Sequence, residues 1–218
     1  MSRIFLLSPA NCSGERGRML QSERAQFDLA VRLRRRDGVG IGEVFAFISG
    51  LYFRGKLAYS LHFAQPPDPG APLVGSGALV ITPSSGLRPV ETGITIDALR
   101  AFANVDIAAG DPRYRRPLVA SARALRDEVG SDCEVVLLGS IASTKYVDVL
   151  VEVFGDRLLF PAEFVGRGDM SRGGLLLRCV HAGVELDYVP VQGAVRHGQR
   201  PPRLDPATRP PRRTSSSD

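Results

Sequence analysis

Residues 134–160 read EVVLLGSIASTKYVDVLVEVFGDRLLF. The run EVVLL has the length and β-branched content of a buried strand, and Gly139 with Ser140 breaks it into a loop over 139–144. A helix is expected from about residue 145 to 154, and a second apolar run, LLF at 158–160, follows directly. Strand, helix and strand in so short a span form a crossover unit, in which the helix returns the chain to the same end so that the two strands lie parallel. Strands that are apolar throughout, rather than on alternate residues, belong to a sheet covered on both faces.

The same grammar extends outward. RIFLL at 3–7 and ALVIT at 78–82 are two further apolar runs, each stopped at once by a loop: SPANCSG at 8–14 and TPSSG at 82–86. A helix is expected over 17–33, ended by Arg34, Arg35, Arg36, Asp37 and Gly38, because basic groups suit a helix C-terminus and glycine suits its stop. Residues 43–48 read as a strand or as the start of a helix, and Ser49 can cap a helix over 50–64. Further helices are expected over 96–103 and from Asp111-Pro112 to Val129, with Gly130 as the stop. The run 175–190, LLLRCVHAGVELDYVP, has two readings. Alternation of Val184, Leu186 and Tyr188 with Glu185 and Asp187 favours a hairpin, and the competing helix would end at Gly183.

The expected fold is therefore α/β: three layers, a mostly parallel sheet flanked by helices, with a C-terminal β-hairpin and a disordered tail. A single domain is expected over 1–197, and 198–218, rich in Arg, Pro and Ser, has almost nothing to bury. A chain of 218 residues buries about 70% of its unfolded surface, so neither metal nor disulfide is needed for stability. Cys12, Cys133 and Cys179 are an odd count without metal-ligand spacing and read as reduced thiols of a cytoplasmic protein; no cofactor is expected. The apolar run 4–7 is too short for a signal peptide, and no stretch approaches the ~20 apolar residues that span a bilayer.

The net charge of +5 is concentrated at the end. From Arg196 onward six arginines face two aspartates, which leaves the rest of the chain at +1. A basic nucleic-acid-binding face on the folded part is thus not expected, and any such contact is a weak one through the tail.

In open α/β sheets ligands bind outside the carboxyl ends of the strands, so the loops at 8–14, 82–86, 139–144 and 161–174 should converge on one cleft. The last is the densest in chemistry. Gly166, Gly168 and Gly173 let backbone approach a ligand, and Arg167 and Arg172 can hold an anion or a base edge. Asp169 between them is the candidate acid, base or anchor, with the alternative that it only neutralises the two arginines. Lys56 and Lys145 are the only lysines among 28 basic residues, and each sits beside a loop of interest. They are candidate catalytic amines, against the plain alternative of two solvated side chains. Asn11 and Ser140 are candidate orienting groups, and Cys12 is a ligand contact or, less readily, a nucleophile, since none of the three histidines partners it in sequence. The string Gly50 to Leu57, GLYFRGKL, matches a phosphate-binding loop except at Leu57, where a magnesium-binding hydroxyl is required. Its bulky apolar residues fit a packed helix instead.

The order SPANCSGERG, GLYFRGKLAYSLHFA, VITPSSGL, LLGSIASTKYVDVL and FPAEFVGRGDMSRGG is similar to a set of uncharacterised bacterial α/β domains. More distantly it resembles the uracil-glycosylase-like domain that accompanies archaeal tRNA-guanine modification enzymes. The resemblance spans about residues 3–178, and its first loop departs from the pattern: Cys12-Ser-Gly-Glu-Arg16 has an acid and a glycine where a basic cluster belongs. What it implies is recognition of a nucleobase, nucleoside or nucleotide-like small molecule, and no particular reaction. Hydrolysis or transfer at the glycosidic position is the chemistry considered for such a site, with a noncatalytic accessory protein using its basic tail as the competing expectation.

Overall fold

The computed structural model describes residues 2–195, 198–199 and 201–202. In chain order the elements are β1 (Arg3–Leu7), α1 (Glu15–Gln21), α2 (Asp28–Leu33), β2 (Val39–Gly40), α3 (Ile41–Ser49), α4 (Leu51–Phe63), β3 (Ala78–Thr82), β4 (Gly86–Pro89) and β5 (Gly93–Ile94). The second half comprises α5 (Ile96–Ala103), α6 (Pro112–Val129), β6 (Glu134–Leu138), α7 (Val147–Phe154), β7 (Leu158–Pro161), α8 (Asp169–Ala182) and β8 (Tyr188–Pro190). The main sheet has the order β4-β3-β1-β6-β7-β8. Its four central strands are parallel, and β4 and β8 run antiparallel at the edges. Helices flank the sheet, and the fold is α/β, as the crossover unit at 134–160 required.

The central strands are apolar on both sides because both sides are covered. Ile4, Phe5, Leu6 and Leu7 are fully buried, as are Val135, Val136, Leu137 and Leu138 beside them. Helix α6 packs on β3, β4 and α7, while α4 lies against β1 and β3 and is crossed by α8. Asp111 caps α6 by accepting a hydrogen bond from Arg113 N at 2.9 Å, with Pro112 as the first helical residue.

Several expectations are corrected. The hairpin over 175–190 is instead α8 followed by the short strand β8. Arg172, Gly173, Leu176 and Cys179 are its buried residues, a helical spacing that a hairpin could not bury on one face. The strand β8 then pairs back with β7, from Leu159 opposite Pro190 to Pro161 opposite Tyr188. The single helix over 17–33 is two, α1 and α2, divided after Ser22. Residues 43–48 belong to helix α3, and Gly50, not Ser49, stands at the start of α4. The tail expectation falls largely on residues 203–218, which lie outside the described residues. Within the described part, a Cβ added at Gly166 would meet Gln199 O and one at Gly198 would meet Val165, so this piece of chain rests on the loop before α8.

Candidate functional site

The loops that leave β1, β3 and β6, together with α3, α4 and the start of α8, enclose an open cleft of about 730 Å³ at the carboxyl end of the sheet. Six of the residues selected from the sequence line it: Asn11, Cys12, Lys56, Ser140, Lys145 and Asp169. They come from four separated stretches of chain, which the parallel topology brings to one end of the sheet. Asn11, Lys145 and Asp169 are exposed at its surface, whereas Lys56 and Cys12 are buried in its wall.

Gly166, Arg167, Gly168, Arg172 and Gly173 do not line the cleft. The Arg167 guanidinium donates to Glu163 O at 2.9 Å and to Ser171 Oγ at 3.4 Å. Arg172 is buried, donates through Nε and Nη2 to Phe164 O at 3.2 and 2.9 Å, and lies over the Phe164 ring at 5.4 Å. Its remaining nitrogen reaches Asp169 at 3.5 Å, so this arginine ties the start of α8 to the preceding loop. Gly168 is the residue before the first turn of α8, where its carbonyl accepts from Arg172 N at 3.0 Å. Gly173 faces α4. A Cβ there would stand 2.8 Å from Leu51 O, and one at Gly55 would stand 2.7 Å from Gly173 O, distances no real Cβ tolerates. The two glycines therefore serve the helix crossing.

Among the residues of the cleft wall that the sequence reading did not select are Ser8, Tyr52 and Tyr146. Ser8 is the first residue past β1, and Lys56 Nζ donates to its carbonyl at 2.7 Å and to its hydroxyl at 2.8 Å. Lys56 is only 1% exposed, and its Nζ lies 4.6 Å from the ring centres of both Tyr52 and Phe53. Burial pulls this amine down to about 7, opposed by the Asp169 charge and reinforced by Arg172. The Tyr52 hydroxyl is buried beside Arg172, and burial raises its phenol well above the ordinary range. Tyr52 stands four residues before Lys56 on α4, a spacing that puts both on one helix face and that could have drawn attention to the pair.

Tyr146 closes the far side. Its hydroxyl accepts from Ser140 N at 3.0 Å and donates to Ser140 O at 3.1 Å, holding the loop after β6. Gly139 makes room for this, since a Cβ there would come within 2.9 Å of the Tyr146 hydroxyl and 3.0 Å of Ser8 Cβ. Cys12 is 3% exposed, its Sγ approaches Ala10 O at 3.7 Å, and burial pushes the thiol up to about 12. A thiol so poised stays protonated near neutrality and is a poor nucleophile. All three cysteines are free, and among the described residues no group of three or more His, Cys, Asp or Glu is placed to hold a metal ion. Among the same residues no helix is long and apolar enough to cross a membrane.

Fold and site together define a three-layer α/β protein with an open, mixed polar and apolar cleft at the carboxyl end of a parallel sheet. No family model, curated protein or solved structure matches the chain.

Proposed function

We propose that the protein binds a nucleobase, nucleoside or nucleotide-like ligand in this cleft. The observation that carries the reading is the convergence of Asn11, Lys145 and Asp169 on one cavity from loops far apart in sequence. A carboxamide offers a donor and an acceptor to a base edge, an exposed ammonium suits a phosphate, and a carboxylate suits a ribose hydroxyl. Ile48, Phe102 and Ile107 supply apolar wall for a planar ring, and the cavity volume falls in the range of small-molecule sites. Asp169 is also the group we assign as base or anchor if the ligand is cleaved at its glycosidic bond. The accessory reading rests on the basic tail, most of which lies outside the described residues.

A thermal-shift screen against nucleosides, nucleotides and free bases tests this. A ligand at 100 times its Kd should stabilise the protein by about 2.7 kcal/mol, and the shift should be lost in Asn11→Ala and Lys145→Ala. A panel that never moves the melting temperature, or variants that bind as the wild type does, would end the reading.

A further inference from the structure

The innermost polar contact of the cleft joins a hydroxyl to a buried amine. Ser8 sits at the carboxyl end of β1, one of the two innermost strands, where the chain leaves the sheet and its side chain reaches the cavity wall. Lys56 meets it from α4, 48 residues away, with Nζ 2.8 Å from Ser8 Oγ. Neither Tyr52 nor Phe53, whose rings flank the amine, can neutralise it, and among the described residues Lys56 makes no salt bridge. The carboxylate that acts on it, Asp169, pairs with Arg172 instead.

An ammonium buried without a counter-ion costs several kcal/mol, so a residue that only joined α4 to β1 would more cheaply be neutral. Arginine, which the chain uses for nearly every other cation, cannot lose its proton. Lysine alone among the basic residues present here gives an amine that is readily neutral at this depth. In its neutral form Nζ can donate to Ser8 O, 2.7 Å away, while its lone pair accepts the Ser8 hydroxyl proton across the 2.8 Å contact. That is the relation between a nucleophile and its base.

We propose that Ser8 and Lys56 are a nucleophile and general base that move an acyl group from an ester or amide in the cleft onto Ser8 and then onto water. Ser8 Oγ forms a bond to the carbonyl carbon as its proton passes to Lys56 Nζ. The tetrahedral adduct collapses, the bond to the leaving oxygen or nitrogen breaks, and that atom takes the proton from the Lys56 ammonium. Water then attacks the Ser8 ester with its proton going to Lys56, the carboxylic acid departs, and Ser8 recovers its proton. Tyr146, held by Ser140 and abutting Ser8 across Gly139, positions the loop that walls this corner. The inference rests on the cleft being a ligand site, though not on the ligand's being nucleotide-like.

The test uses the full chain and a fluorophosphonate probe, in which attack by Ser8 Oγ on phosphorus expels fluoride. Intact mass and peptide mapping should find one adduct, on Ser8, and none in Ser8→Ala. The labelling rate should climb with pH and level off above about 7, where the amine is neutral. The charged and titratable groups facing it are Asp169 and Arg172 on α8, Tyr52 on α4 and Tyr146 beyond β6. Lys56→Met, its folding checked by melting, should label on the order of 100-fold more slowly or worse. No adduct on Ser8 at pH 8, an adduct on Tyr146 or Lys56 in its place, or a rate indifferent to pH would overturn the proposal. The pH profile of the wild type decides the matter even if the lysine variant does not fold. Labelling of Ser8 beside a blank ligand screen would remove the nucleotide reading alone, and ligand binding without labelling would remove only the nucleophile.

Discussion

The buried amine of Lys56 makes stability depend on pH in a direction that can be worked out. In the unfolded chain the amine titrates at its ordinary 10.5, and in the fold burial brings it down to about 7. Between those values the unfolded chain binds more protons than the native one, so stability rises with pH across the window. The difference between 10.5 and about 7, at about 1.4 kcal/mol per pH unit, is about 5 kcal/mol of native-state penalty, fully present below pH 7 and gone above 10.5. From pH 7 to 9 about 2 kcal/mol of it should disappear, which for a chain of this size is about 4–8 °C in melting temperature. Other groups titrate too: the buried thiols, raised in the fold, pull the opposite way as pH rises. Measurement against Lys56→Met removes them, because they are common to both proteins. Urea or thermal melts of the two at pH 6, 7, 8 and 9 should show the wild type gaining about 2 kcal/mol on the variant between 7 and 9. A stability difference that stays constant across that range, or shifts the other way, would refute the depressed amine.

Two further outcomes follow from α8. Arg172→Ala should lower stability by about 1.5–3 kcal/mol in urea melts, since it removes both hydrogen bonds to the Phe164 carbonyl while leaving the cleft wall in place; an unchanged melt with lost ligand binding would return this arginine to the ligand. Gly173→Ala should cost about 1–3 kcal/mol by forcing α8 off the Leu51–Tyr52 backbone, whereas Gly168→Ala, with no atom of the described residues beyond its chain neighbours within 4 Å of the added methyl, should be nearly silent in the same melts.

The parallel core was open to reading from the chain because burial on both faces leaves a compositional mark. All five residues of β3 are buried, and a run such as ALVIT admits few other uses. The edge strands leave no such mark. Strand β4, GLRP, contains a glycine and a proline and is defined by its pairing to β3, from Leu79 opposite Pro89 to Thr82 opposite Gly86. Strand β8 is three residues long and exists because β7 offers it an edge. The run Leu175, Leu176, Leu177 fits a strand or a helix equally well by composition; what the run alone does not show is Gly55, more than a hundred residues upstream, against which Gly173 of α8 lies closely.

The site divides along the same line. Residues on strand-exit loops, Asn11, Ser140 and Lys145, were placed by topology alone, because a parallel sheet sends its exits to one end. Ser8 was passed over because a serine after a strand is ordinary, and only the partner brought to it by α4 makes it otherwise. The loop at 161–174 drew notice for its glycines and charges, and it does bear on the cleft, though by a different route. Its Asp169 reaches the rim, while Arg172 and Gly173 turn away to fasten α8 onto the loop and onto α4. Gly55, the other half of that crossing, immediately precedes Lys56. The closeness of the two helices therefore helps to bury the amine and hold it against Ser8, and the same contact that stabilises the crossing withholds from Lys56 the water that would keep it charged. Packing and chemistry meet there in one feature, so a substitution that loosens the crossing should raise the lysine toward its ordinary value at the same time as it weakens the fold.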